Sequence, residues 1–300
     1  MTAAAVAAGR TTSRRTVWRW VRPAVAAATL AVLVWHVGTG PFLEGLRSVD
    51  GGALAAACGL AVVTTVCCAW RWRTVARGLG IHLPLGTAVA AYYRSIFLNV
   101  ALPGGVVGDV HRGISHGLRA VVWERSAGQA VQIVATVSLL LVLPSPVHAA
   151  MPLVALVLLG AAAGVALLVR VRPGRSRLLR AAARDLRDGL LARRAWPAVA
   201  LASALVVAGH AVTFLIAART AGVTAPASQV LPLALLVLLA AALPNVGGWG
   251  PREGVTAWAF AAAGLGASLG VATAVTYGVM VFVAGLPGAA ILVVGWMRHA

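Results

Sequence analysis

WPAVALASALVVAGHAVTFLIAA, residues 196–218, runs for 23 residues without a charged side chain. About 20 apolar residues in a helix are enough to cross the roughly 30 Å hydrocarbon core of a bilayer. A helix is the conformation required there, because it satisfies every backbone N–H and C=O inside its own segment. The pattern recurs in both directions along the chain. Apolar segments lie at 23–40, 52–70, 84–102, 126–143, 149–169, 227–243, 255–267 and 269–296. Segments 52–70, 126–143, 149–169 and 269–296 are long enough to span with ease. Segments 84–102 and 255–267 are shorter or more polar, and read as half-spans. The fold class that follows is all-α: a polytopic transmembrane helix bundle with two re-entrant or broken-helix segments, and with an inverted repeat as a further expectation. A basic stretch, 1–22, precedes a single membrane domain over 23–298.

Composition supports this reading. Of 300 residues, 60% are hydrophobic and only 11% charged, where a globular domain carries about 25%. The net charge is +18, and all the basic charge is arginine. So basic a chain invites a nucleic-acid reading. The arginines lie between apolar segments, however, where they act as topology signals, and no nucleic-acid partner is expected. Segment 170–194 holds nine of them: Arg170, Arg172, Arg175, Arg177, Arg180, Arg184, Arg187, Arg193 and Arg194. Arg71, Arg73 and Arg77 follow the second apolar segment. Positive-inside then places the N-terminus, 71–83 and 170–194 in the cytoplasm, with Arg298 bringing the C-terminus there too. Loops 41–51 and 144–150 face outside. The alternation closes if 84–118 enters and leaves on one side, as a re-entrant hairpin does. Ser13-Arg14-Arg15 resembles the start of an export signal, but no Ala-x-Ala site follows it, so a retained N-terminus is expected. In 172–195, Leu178, Leu179, Leu186 and Leu190 sit among the arginines at near-helical spacing. That suits either a surface helix on anionic headgroups or a topology-setting linker.

Two stretches break the membrane pattern alike. Ala101-Leu-Pro-Gly-Gly-Val-Val-Gly-Asp-Val-His-Arg-Gly113 and Ala242-Leu-Pro-Asn-Val-Gly-Gly-Trp-Gly-Pro-Arg-Glu-Gly254 both open on Ala-Leu-Pro, pass through glycines, carry an acid and an arginine, and close on glycine. Proline ends a helix and glycine permits tight turns, so Pro103, Gly104, Gly105 and Gly108 form one set of backbone breaks. Pro244, Gly247, Gly248 and Gly250 form the other. Unwound backbone at membrane depth must be buried in protein or line a wet cavity. A charge there costs at least about 2.5–3.5 kcal/mol on insertion scales and therefore has a partner. Asp109 and Arg112 stand at i, i+3 if a helix starts near Gly108. Arg252 and Glu253 are adjacent, do not share a helix face, and are expected to pair with other groups. Paired Pro/Gly-interrupted segments point to a transporter's binding site. Helix N-termini after the glycines suit an anion such as a phosphate, with Arg112 and Arg252 adding charged hydrogen bonds.

Around these breaks the chain resembles the transmembrane, flippase-like region of lysylphosphatidylglycerol synthases and the stand-alone membrane proteins that share it. Asn99, Leu102-Pro103-Gly104, Gly108-Asp109 and Arg112 match the family's first pattern. Gly247-Gly248-Trp249-Gly250-Pro251-Arg252-Glu253 matches the second. Glu124-Arg125 with Gly128 matches an acid–arginine pair between them. Val107 departs from the pattern, standing where the family has a further glycine. The resemblance covers about 20–296. It implies a helix bundle with re-entrant hairpins and a lipid-handling role. The family's soluble aminoacyl-transferase domain is missing between the last apolar segment and Ala300, so synthase activity is not carried over.

The expected function is translocation of a phospholipid or a lipid-linked anionic headgroup across the plasma membrane. Arg94, Asn99, Asp109, Arg112, Glu124, Arg125, Asn245, Arg252 and Glu253 would line one polar cavity between the halves, the arginines holding a lipid phosphate and the acids positioning them and coupling to protons. Membrane lipids are the expected partners, with a separately encoded synthase or glycosyltransferase as a protein partner. Alternative readings are a membrane-embedded transferase acting on a lipid or polyprenyl phosphate, and a non-catalytic partner of such a synthase. No catalytic residue, metal or cofactor is assigned. Cys58, Cys67 and Cys68 read as buried small hydrophobes. His111 and His116 read as loop-exposed or as lining the same cavity, and His210 as a buried hydrogen-bonded group. The tryptophans, among them Trp18, Trp20, Trp70, Trp72, Trp196 and Trp296, read as interfacial anchors. Gly160 and Gly164 read as helix packing.

Overall fold

The computed structural model describes residue 35 and residues 39–101, 107–171, 181–182, 184–190, 192, 195–241 and 250–297. The first apolar segment, 23–40, falls almost wholly outside them. The other apolar segments form helices. A short amphipathic helix, α1 (Gly40–Arg47), leads into α2 (Gly51–Gly78), whose first turn is capped by Asp50 accepting from the Ala53 N–H at 2.8 Å. Then follow α3 (Leu85–Ala101), α4 (Val107–His116), α5 (Leu118–Val142) and α6 (Met151–Val171). The remainder is α7 (Trp196–Thr220), α8 (Ala227–Ala240), α9 (Pro251–Ala262) and α10 (Ala267–Met297). Among the described residues, α2, α5, α7 and α10 are the helices long and apolar enough to cross a membrane. The protein is an all-α polytopic membrane bundle.

The short helices come in pairs. At 1.5 Å per residue, α3 and α4 are about 25 and 15 Å long, and α8 and α9 about 21 and 18 Å, all short of the roughly 30 Å core. Helix α3 packs on α4, and α8 on α9, as two hairpins. The chain therefore repeats one succession, long–short–short–long, over α2–α5 and again over α7–α10. The packing repeats with it. The pairs α2/α3, α3/α4, α4/α5 and α2/α5 recur as α7/α8, α8/α9, α9/α10 and α7/α10, while α5/α7 and α3/α10 recur as α10/α2 and α8/α5. Helices α2–α5 and α7–α10 are thus two sets matched in order and in packing, with α6 between them.

Apolar packing follows the same division. Phe214, Leu233, Val237, Phe260, Tyr277 and Met280 gather α7–α10 around Ala57 of α2. Ala69, Trp72, Ala76, Ala88, Tyr92 and Ala120 join α2, α3 and α5. Alanines make up most of the second cluster, where close backbone approach and dispersion replace the hydrophobic effect as the association force in lipid.

Several details depart from expectation. Helix α2 runs on past the apolar segment to Gly78, so Arg71 and Trp72 are buried within the bundle instead of marking its edge. Trp72 is no interfacial anchor, although Trp196 and Trp296 are exposed. The three cysteines are half-buried free thiols. Gly160 and Gly164 of α6 meet no atom of the described residues within 4 Å. In the arginine-rich segment, Leu190 packs against the cluster of Val75, Ala127 and Val199. Asp185 accepts there from the Arg119 guanidinium and from Trp123 Nε1 (3.1 Å) at the start of α5. Leu178 and Leu179 lie outside the described residues.

Candidate functional site

Glu124 lies in the second turn of α5, on its packed face, and is 0% exposed. A carboxylate so placed must be compensated by cations and donors. Arg71, coming from α2, donates both Nε (2.9 Å) and Nη2 to Oε1, which also accepts from the Tyr92 hydroxyl at 2.7 Å. Arg112 of α4 donates Nη2 to Oε2 at 3.1 Å. The same nitrogen reaches Asp109 Oδ1 at 2.9 Å, the i, i+3 pair expected from the sequence. Ser95 Oγ also donates to Oδ1, at 3.1 Å. On its other oxygen, Asp109 accepts from Arg125 Nη2 (2.6 Å) and Asn99 Nδ2 (3.1 Å). Asn99 in turn accepts the Gly108 N–H at 2.8 Å, tying the end of α3 to the start of α4. Asp109 stands in the first turn of α4, where the helix dipole favours a negative charge. One continuous network thus joins α2, α3, α4 and α5.

The network holds three guanidinium groups against two carboxylates, leaving one positive charge in surplus. The arginines are not equivalent. Arg71 is 5% exposed. Arg112 is 1% exposed, its guanidinium carbon 4.0 Å from the Tyr92 ring centroid and 4.5 Å from that of Trp72. It is clasped between two carboxylates and two π faces. The Arg125 side chain is 47% exposed.

Two glycines make this geometry accessible. A Cβ on Gly108 would overlap the backbone of Ser95, so glycine is what lets α4 lie against α3. Gly108 is therefore a helical residue of close approach, inside α4, and not an unwound position as its grouping with the breaks implied. A Cβ on Gly128 would stand 2.6 Å from Arg71 Nη1, so the bare backbone of α5 is the surface over which Arg71 passes to Glu124.

The second break is built differently. Gly250 (φ +120°) precedes the first residue of α9, a conformation open to glycine. Glu253 folds back to accept the Gly250 N–H at 2.6 Å, capping the helix. That movement brings its other oxygen to Arg252, which donates Nε at 2.8 Å and Nη2 at 2.5 Å. The adjacent residues do pair, contrary to the expectation drawn from helix-face geometry. The reason is that the cap returns the carboxylate along the helix surface. Arg252 also lies 5.4 Å from the Tyr277 ring centroid, and Tyr277 meets His210 Nδ1 at 3.2 Å. Pro103, Gly104, Gly105, Pro244, Asn245, Gly247 and Gly248 lie outside the described residues.

A cavity of about 240 Å³ opens beside the first network, between α2, α3, α5, α7 and α10. Arg71, Tyr92 and Arg125 bring the network to its wall. Thr64 and Thr65 of α2, Gln129 and Gln132 of α5, and Ser203, His210 and Thr213 of α7 add to its polar lining. Ser203 accepts from Arg71 Nη1 at 3.0 Å. Of the residues singled out in the sequence as lining one cavity, Asn99, Asp109, Arg112, Glu124 and Arg125 come together in the network, and of these five Arg125 alone lines the cavity. Arg252 and Glu253 form their own pair, and neither lines the cavity. Arg94 is half-buried on α3, its Nε without a hydrogen-bond partner among the described residues. His111 is exposed and His116 lies tilted against Trp72, 5.6 Å between ring centroids. Neither lines the cavity. Among the described residues no group of three or more His, Cys, Asp or Glu is placed to hold a metal ion.

Sequence reasoning missed Arg71, Tyr92, Trp72 and the glutamines. Arg71 reads as a loop charge, because the apolar run stops at Trp70. Glu124 stands two residues before the apolar run at 126–143, so nothing local marked it as a buried carboxylate in need of a second cation.

No curated protein and no solved structure gives a significant match to the chain. A family model, the lysylphosphatidylglycerol synthase TM region, matches residues 19–288. That span includes both breaks, the arginine–carboxylate network and every wall of the cavity, and the chain belongs to the lysylphosphatidylglycerol synthase transmembrane-region family.

Proposed function

We propose that the protein is a lipid translocase, moving a phospholipid or another lipid with an anionic headgroup across the plasma membrane, with both termini in the cytoplasm. Family membership supports a membrane protein of lipid-related function. The observation that carries the finer reading is Arg125. It is half exposed, it lies on a helix of membrane-spanning length, and it lines the cavity. Facing hydrocarbon, that charge would be costly. Facing a cavity, with one positive charge in surplus behind it, it is ready for an anion. The phosphate-holding role expected of Arg112 passes to Arg125, since Arg112 is enclosed by Glu124, Asp109, Trp72 and Tyr92. Arg252 and Glu253 act as a structural clasp at the start of α9. A transferase reading gains no support here, because all four oxygens of Asp109 and Glu124 already accept from arginines.

The test is phospholipid exchange between leaflets in proteoliposomes, followed by dithionite reduction of a fluorescent anionic lipid. Wild-type protein accelerates exchange, and Arg125→Gln slows it at least tenfold with the fold intact. Equal rates for Arg125→Gln and wild type would remove the site. No acceleration by wild type would remove the function.

A further inference from the structure

The cavity has a floor, and part of the arginine-rich segment lies beneath it. We infer that residues 184–190 are a plug that seals the cavity from the aqueous compartment on their side of the membrane. Leu190 fills the gap, and the Asp185–Arg119 pair holds it there. The seal concerns access to the cavity, so it stands apart from what the cavity takes.

On α2 the cavity lining ends at Arg71, and on α7 it begins at Ser203. Arg71 joins the walls at that level, donating Nε to Glu124 of α5 at 2.9 Å and Nη1 to Ser203 at 3.0 Å. This guanidinium is the polar layer of the floor. One turn further along each helix, about 6 Å away at 1.5 Å per residue, stand Val75 and Val199. Both are buried, and with Ala127 of α5 they form one apolar cluster on which Leu79, Trp123 and Leu190 pack. Val75, Ala127, Trp123 and Val199 belong to helices that wall the cavity. Leu190 belongs to none of them, so a residue from outside the walls completes the apolar layer. Hydrophobic constrictions close water paths by dewetting, and this one lies directly under the polar floor.

Leu190 ends a short π-helical turn, Leu186–Leu190. Asp185 stands immediately before that turn. It is buried, and it accepts from Arg119 Nε at 2.9 Å and Trp123 Nε1 at 3.1 Å. The turn is two-sided: Asp185 and Leu190 meet the bundle, whereas Arg184, Leu186 and Arg187 are exposed. Trp123 serves both contacts, since its N–H holds Asp185 while the side chain packs on the apolar cluster. Loss of the pair therefore loosens the same residue that backs the plug. The Arg119 side chain is 68% exposed, and an exposed ion pair adds little to global stability. Local opening of such a segment costs far less than unfolding of the bundle, so the plug can leave while the helices stay packed.

The test uses Cys68, a free thiol of α2 that lines the cavity one turn before Arg71. In a Cys58→Ser/Cys67→Ser background it is the sole thiol of the full-length chain. Sealed right-side-out and inverted membrane vesicles are treated with a small, membrane-impermeant methanethiosulfonate. An Ala182→Cys reporter in otherwise cysteine-free protein identifies the side on which the segment lies. From that side Cys68 should label slowly in the parent, and at least tenfold faster after Leu190→Ser or Asp185→Asn. Arg119→Asp should accelerate labelling likewise. The exchanged pair Arg119→Asp/Asp185→Arg should slow it again, which a merely disordered segment would not do. From the opposite side no variant should change the rate. Equal rates in parent and variants from the segment's side, or fast labelling of the parent there, overturn the plug. Acceleration from both sides alike also overturns it, since a plug guards one side only. Acceleration by Leu190→Ser with Asp185→Asn at the parent rate overturns the holding role of the ion pair.

Discussion

Replacing Glu124 by glutamine removes one charge and almost no volume. Its two oxygens accept four hydrogen bonds, from Arg71 twice, Tyr92 and Arg112. In Glu124→Gln the surplus on the network rises from one positive charge to two. Arg71, 5% exposed, loses the carboxylate it pairs with among the described residues. Breaking a buried pair by removing one partner costs about 3–5 kcal/mol, because the remaining charge stays buried. For a chain of this size each kcal/mol moves the melting temperature by about 2–4 °C, so a drop of about 6–20 °C is expected. Thermal unfolding in detergent, read as the loss of the monodisperse peak, measures it. Adding Arg71→Gln to Glu124→Gln removes the stranded cation and should recover part of the loss, leaving a coupling energy above about 1 kcal/mol in the double-mutant cycle. A Glu124→Gln melting temperature within about 2 °C of wild type, or strict additivity of the two changes, would refute the description of this network as a charge-compensated core.

Gly128→Ala places a methyl group against the Arg71 guanidinium, which Glu124 and Ser203 hold in place. It should cost about 1–3 kcal/mol, as overpacking does, and the cost should shrink in an Arg71→Gln background. Gly108→Ala pushes into the Ser95 backbone, which has no rotamer to escape by. It should cost about 3 kcal/mol or more and sharply reduce the yield of monodisperse protein, and no substitution of the Ser95 side chain should rescue it. Asp185 is held below the usual carboxylate range by its hydrogen bond from Arg119, assisted by Trp123 and against the opposing effect of burial. The stabilisation it lends is therefore complete above the unfolded value near 3.9 and is lost as pH falls through the lowered folded value. A spin label at Ala182 should stay immobile from pH 7 down to about 4.5, and a mobilisation midpoint above pH 5 would contradict an anchoring role for the Asp185–Arg119 pair.

The sequence made the bundle legible because each membrane helix must satisfy its own backbone and cover itself in apolar side chains, so its limits are written locally. The two interruptions were legible for a related reason: Pro103 and Pro244 mark where a helix is expected to end, and α3 and α8 stop at Ala101 and Ala240. The pairing of charges was less so. Asp109 and Arg112 could be matched because i, i+3 geometry is local. Arg252 and Glu253 were misjudged because a capping carboxylate leaves the face that its position assigns. Arg71 lies 53 residues from Glu124, and that contact depends on how α2 packs on α5, which no local pattern records. The cavity wall was invisible for the same reason, since Gln129 and Ser203 become neighbours of one space only after α5 meets α7.

The full commitment of Asp109 and Glu124 to arginines bears on energetics. A carboxylate that carries protons between two aqueous compartments must spend part of its cycle neutral and near water. Glu124 is sealed from both, and Asp109 neutralises the very arginine that faces the cavity. Protonating either would strand a cation, so a proton gradient has no handle on these groups. A cargo with one negative charge brings its own handle: crossing the membrane potential is worth about 2.3 kcal/mol per 100 mV. For the translocase proposed above, an inside-negative field would favour outward movement of such a lipid.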